Sequence, residues 1–168
     1  MSEKDEIKGW VAGRVPQDWY QGAPEVTVDR EEILVVGKLG EAQVEGNDET
    51  KAAAKAGRIN QHRETTREQR IAISNEAQRR FGRPISWGIR YGDKTHLFTH
   101  LSVPVMTRLR QPERAVLDSL VDAGVARSRS EAVAWCVRLV EKHEGDWLTE
   151  LRDALSQVAQ ARSGGPLN

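Results

Sequence analysis

The chain has 168 residues, 38% hydrophobic and 30% charged, a globular composition without the run of about 18 apolar residues that spans a bilayer. Its formal net charge of zero hides three blocks: residues 1 to 50 carry 5 Lys and Arg against 12 Asp and Glu, residues 51 to 90 carry 10 against 3, and residues 91 to 168 carry 10 against 10. Such an arrangement excludes a uniformly basic surface and sets a basic stretch for phosphates after an acidic one that would repel nucleic acid, shield that stretch or meet a protein partner.

Residues 1–47 read as an acidic β region. The start, MSEKDEIKGW, is acidic and polar, unlike a secretory leader. Turn residues at Pro16, Gly22 and Pro24 precede EVTVDREEILVVGKL, where Val26 and Val28 alternate and Ile33 to Val36 form a continuous apolar run, the pattern of a small hairpin. Trp10, Trp19 and Tyr20 are expected to plug its core rather than to form a partner patch.

Residues 48–82 read as one long basic helix. Asn47 or Asp48 caps it, its alanines favour it, Gly82 and Pro84 end it, and Gly57 is a plausible break. The stretch from Asn60 to Arg70 is polar all round, so no apolar core is expected to clamp it there. Arginines crowd this segment, and Arg67 and Arg70 are the expected contacts to a phosphate backbone; the alternative is a solvated spacer.

Residues 83–102 carry a strong hairpin signal. Ile85, Trp87, Ile89 and Tyr91 alternate, Gly92-Asp93 or Asp93-Lys94 turns the chain, and His96, Phe98 and His100 alternate back, with the returning strand expected to run on into Val103. His96 and His100 would lie about 13 Å apart on a strand, too far to share an ion. With no metal cluster, phosphate loop or nucleophile set, the sequence predicts neither an enzyme nor a cofactor.

Residues 103–143 read as a strand and two helices. Val103, Val105, Thr107 and Leu109 point one way, and Pro104, Met106, Arg108 and Arg110 the other. A helix from about Pro112 to Ala123, stopped by Gly124, buries Val116, Leu117, Leu120 and Val121. A second helix starts at Ser128 or Ser130, where Ser128 and Glu131 fit a capping box, and buries Val133, Cys136, Val137 and Val140. As the single cysteine, Cys136 fits a reducing cytoplasm and a core position. About forty residues bury too little surface to be stable alone, so the unit needs a partner.

The strand, the two helices and the sharp GVARSRSEAVAWCVRLV signature at the second helix resemble the ribbon-helix-helix family of dimeric DNA-binding proteins, over about a quarter of the chain. The resemblance implies a homodimer whose paired strands enter the major groove of double-stranded DNA. Met106, Arg108 and Arg110 would then face base edges, and Ser128, Arg129 and Ser130 would hold a phosphate at a helix start. Thr107, where the family usually has an aliphatic residue, and a longer step at Arg110-Gln111-Pro112 depart from its pattern.

Residues 144–168 give a third helix capped by Asp146, with Trp147 or Leu148, Leu151, Leu155 and Val158 in a stripe that would cover Trp135 and Leu139, and then a frayed tail, SGGPLN. The chain thus reads as an α+β protein whose ribbon-helix-helix-like unit follows a long basic helix and small β-hairpins. The expected function is sequence-specific DNA binding as a cytoplasmic, nucleoid-associated transcriptional regulator, with no membrane partner. The alternatives are a dimeric adaptor that recruits a protein through the acidic region, and RNA or ribosome binding through the Arg-rich helix.

Overall fold

The computed structural model describes residues 3–164, so positions 165–168 of the expected frayed tail lie outside the described residues. The fold is α+β and divides into two units, Met1–Pro104 and Val105–Asn168.

The first unit is a four-stranded sheet in the order β1 (Glu25–Val28), β2 (Ile33–Lys38), β3 (Ile85–Tyr91), β4 (Lys94–Leu97). Both expected hairpins form. In the first, the Asp29 carboxylate accepts from the backbone N–H groups of Glu31 and Glu32, each at 2.8 Å, which fixes the turn that pairs Val28 with Ile33. In the second, Gly92 adopts φ 57°, the left-handed conformation a tight two-residue turn needs, and Ile89 pairs with His96. The central strands β2 and β3 run parallel, which demands a crossover, and the helices between them supply it. Ile33, Val35, Ile85, Trp87 and Ile89 are buried in one core with Ile7, Val11, Ile73 and Ala77. The three segments that the sequence separates at residues 47 and 82 therefore share that core.

Residues 3–14 are helical rather than part of a β region: α1 (Glu3–Arg14) buries Ile7 and Val11, while Trp10 packs edge-on against Phe81 at 5.3 Å. Gly9 and Gly13 weaken its helical signal, and tertiary packing overrides that weakness. The helix also resolves the charge blocks. Arg83 pairs with Glu3 (2.9 Å) and Arg80 with Glu6 (3.2 Å), so part of the acidic block neutralises part of the basic one, while Arg14 pairs with Glu76 (2.8 Å) in the opposite sense.

The long basic segment is two helices, α2 (Asp48–Thr65) and α3 (Arg67–Phe81). Asn47 caps the first and Gly82, at φ 70°, closes the second, but the break falls at Thr66 and not at Gly57. Two adjacent threonines explain it: the Thr65 hydroxyl donates to the Gln61 carbonyl at 2.8 Å and the Thr66 hydroxyl to the His62 carbonyl at 2.6 Å, back-bonding that bends helices. The stretch from Asn60 to Arg70 is also clamped on the core after all, with His62, Thr66 and Arg70 buried.

The second unit holds α4 (Gln111–Asp122), α5 (Arg129–His143) and α6 (Gly145–Ser163). The first two match the expected helices, with Gly124 at φ 74° after α4. The residue flanking the start of α6 is Glu144, with Asp146 inside the first turn, and α6 leaves Trp135 half-buried and Leu139 exposed instead of covering them. The expected strand from Val103 to Arg110 is not a strand: β4 ends at Leu97, and residues 98–110 hold neither helix nor strand. A strand exists only by bonding to a neighbour, and this segment forms no ladder with any of the four strands.

Candidate nucleic-acid interface

The segment that would read DNA is exposed except at Leu109. Met106 is 95% exposed and Val105 87%, and Arg108 and Arg110 are exposed as well. Arg110 has an extended backbone (φ −83°, ψ 171°) and flanks α4, where its N–H donates to the Glu113 carboxylate. Arg114 reaches back to the Leu109 carbonyl at 2.7 Å. The end of the segment is thus anchored to the helix while its arginine side chains stay in solvent.

Behind it, the α4–α5 pair has a core of only three buried residues, Leu117, Ala126 and Ala132, with Leu109, Leu120, Val121, Val133 and Cys136 packed around them. Val116 (56% exposed), Val137 (64%) and Val140 (48%) belong to the expected stripes yet face solvent. Large aliphatics left exposed at positions of a core stripe are candidates for an association surface.

The α4–α5 turn is tightly built. The Leu120 carbonyl accepts from the N–H groups of Val125 (2.9 Å) and Ala126 (3.2 Å). The Ser128 hydroxyl accepts from the Glu131 N–H at 3.2 Å, and the Glu131 carboxylate accepts from the Arg127 N–H at 2.8 Å, one residue earlier than a capping box places it. The Arg127 N–H holds the Glu131 carboxyl below the usual carboxylate range. Of the three phosphate residues expected at this turn, Ser128 is the cap, Ser130 is exposed outside it, and Arg129 is tied to Asp118 by two hydrogen bonds of 2.7 and 2.8 Å. The first amides of a helix have no intrahelical acceptor and favour anions.

In the first unit, Arg67 is exposed but Arg70 is only 7% exposed, a correction to the expected phosphate pair. The Arg70 Nε donates to the Thr66 hydroxyl at 3.0 Å and its Nη2 to the Arg63 carbonyl at 2.8 Å, with the guanidinium 5.1 Å from the Phe98 ring centre. It borders a cluster that the sequence did not reveal: Trp19, Tyr20, His62, Trp87 and Phe98, with neighbouring ring centres 5.5 to 6.2 Å apart. Burial pushes the Tyr20 phenol up to about 12, against the pull of the Arg70 charge. Burial, helped by the charges of Arg58 and Arg70, holds the His62 imidazole down at about 4. Both rings are therefore uncharged at neutral pH, as a core requires. Among the described residues, no group of three or more His, Cys, Asp or Glu side chains is placed to hold a metal ion, and no helix is long and apolar enough to cross a membrane.

Two family models match the chain: the Rv1265-like protein N-terminal domain over residues 5–97 and the Mb1296 C-terminal domain over residues 110–162. The chain belongs to the Rv1265-like family. Its relatives include Rv1265 of Mycobacterium tuberculosis (strain H37Rv) and Mb1296 of Mycobacterium bovis, each 55% identical over 157 residues that cover 94% of this chain and 69% of the relative. Both are described as uncharacterized proteins, so neither name carries an activity. No solved structure matches the chain at a significant level. The two family models leave residues 98–109 unmatched, all but the last residue of the segment between β4 and α4.

Proposed function

We propose that this protein is a homodimeric, sequence-specific DNA-binding protein, a transcriptional regulator without catalysis, that works in the cytoplasm at the nucleoid. One observation carries the reading: a segment from Val103 to Arg110, exposed except at Leu109 and bonded into no sheet, adjoins a helix pair whose core has three buried residues and which leaves Val116, Val137 and Val140 in solvent. Both features call for the same partner. A second copy aligned antiparallel along this segment would satisfy the backbone of each, and α4 and α5 of the two copies would bury Val116, Val137 and Val140 between them.

The resulting two-stranded ribbon has the width the major groove admits. Met106, Arg108 and Arg110 lie on its outward face, arginine being suited to bidentate contact with guanine. Ser128 and Ser130 at the start of α5, and Arg67 on α3, would meet phosphates, positioning the protein without reading sequence. With Arg129 held by Asp118, its contribution is a backbone amide and a rigid turn. The other two readings draw less support. Arg70 is buried and Arg80 and Arg83 are paired, which reduces the basic face open to RNA; Glu3 and Glu6 are spent in those pairs, which reduces the acidic face open to a protein.

The test is retention of random genomic fragments by the full chain at about 50 and 200 mM salt, followed by sequencing. The reading predicts a shared motif that persists at the higher salt while bulk retention falls steeply, because phosphate contacts release counterions. Retention with no enriched motif at either salt, or no retention at all, would overturn it.

A further inference from the structure

Helix α6 has 19 residues, and from Trp147 to Arg162 every side chain but Leu148 is exposed. Trp147 is 56% exposed, Leu151 45%, Leu155 62% and Val158 52%. These are the residues of an amphipathic stripe, which forms a stable element only against a second apolar surface. Leu148, Leu151, Leu155 and Val158 follow the 3-4-3 spacing of a coiled-coil seam, while Glu150, Asp153, Gln157 and Gln160 occupy the opposite side.

We propose that α6 pairs antiparallel with α6 of a second copy of this chain. One step beyond each end, the seam meets Glu144 and Arg162, and the row 144, 148, 151, 155, 158, 162 has spacings of 4, 3, 4, 3 and 4, the same read from either end. A two-fold axis near residue 153 therefore sets Leu148 opposite Val158, Leu151 opposite Leu155 and Glu144 opposite Arg162 of the second copy. A parallel alignment would stack Glu144 on Glu144 and Arg162 on Arg162, a like-charge arrangement at both ends. The flank agrees: across an antiparallel seam Trp147 falls between Ala154 and Ala161 of the second copy, a large ring against two small side chains. The charge pairs and this packing select another α6 over an unrelated apolar surface.

A seam of fewer than three heptads is marginal by itself. The pairing thus shares the dimer with the DNA-binding reading but needs no DNA contact.

Disulfide trapping in the full chain tests it, with Cys136→Ser removing the native thiol. Leu148→Cys and Val158→Cys are oxidised singly and as an equimolar mixture after subunit exchange, without DNA. In the antiparallel pair each introduced cysteine lies about 15 Å along the helix from its own copy but opposite the other position. The expected result is a crosslinked dimer in the mixture and little in either variant alone. Self-crosslinking of Leu148→Cys would show a parallel pair, and a dimer by light scattering with no crosslink would show α6 covered by something else; either overturns the proposal and leaves DNA binding standing. As a second reading, Leu151→Glu with Leu155→Glu alters residues exposed in the single chain, so the fold should persist by circular dichroism. The dimer dissociation constant should rise at least tenfold, and an unchanged constant would count equally against the pairing.

Discussion

His62 is 4% exposed, and burial followed by the charges of Arg58 and Arg70 holds its pKa at about 4 against an ordinary 6.5. The unfolded chain therefore binds a proton more readily than the folded one between these values. The contribution of neutral His62 is complete above about pH 6.5, falls as the pH drops toward 4, and levels off below that. At pH 5 the loss amounts to about 2 kcal/mol. Urea unfolding of the parent and of His62→Phe at pH 5 and 7.5 isolates it, since other groups titrate in both chains; the parent should lose more stability than the variant on acidification, and equal losses would contradict the account. The same residue shows what a hydrophobicity pattern does not convey. His62, Thr66, Arg70, Ile73 and Ala77 form one buried stripe at helical spacing. Its first three members are polar, so the segment looks solvated in sequence, yet the Thr66 hydroxyl and the Arg63 carbonyl accept from the Arg70 guanidinium and the Phe98 ring lies against it. The adjacent threonines were the readable sign of a bend. Arg70 as a surface cation was the reading that failed.

At the level of elements, α4 and α5 were legible because their signals are local: Gly124 in the left-handed region, and the hydroxyl of Ser128 against the Glu131 amide. The two hairpins were legible for the same reason. Helix α1 was not, because its buried residues, Ile7 and Val11, are few and its stability comes from packing in a core shared with the sheet and α3, which leaves no local mark. The α5 start also separates two roles that its sequence merges. Ser128→Ala should lower stability by about 1 kcal/mol through loss of the cap. Ser130 takes no part in that cap, so Ser130→Ala should melt with the parent while binding DNA more weakly, by a similar factor for every sequence, as loss of a phosphate contact does. Thermal melting and DNA titration of both variants check this; unchanged DNA binding by Ser130→Ala would remove the residue from the interface.

At the scale of the molecule, the four-stranded sheet and its crossover helices make a self-sufficient core, whereas the α4–α6 unit shows a large share of its aliphatic surface to solvent. That contrast was legible in the second unit's size and invisible in the first, where the parallel pairing of β2 with β3 joins residues some fifty positions apart and leaves no local mark. The opposite charges of the first two blocks likewise meet only in the fold, where α1 pairs with Glu76 and Arg80 of α3 and with Arg83 just after it. The central claim is that the segment from Val103 to Arg110 reads bases as a ribbon shared by two copies. Titration of Arg108→Ala and the parent, at one salt concentration, against the enriched sequence and a scrambled duplex tests it most directly. The account predicts that Arg108→Ala loses about 1 to 3 kcal/mol of discrimination while its affinity for the scrambled duplex is nearly unchanged. An equal loss on both duplexes, or no loss on either, would contradict it.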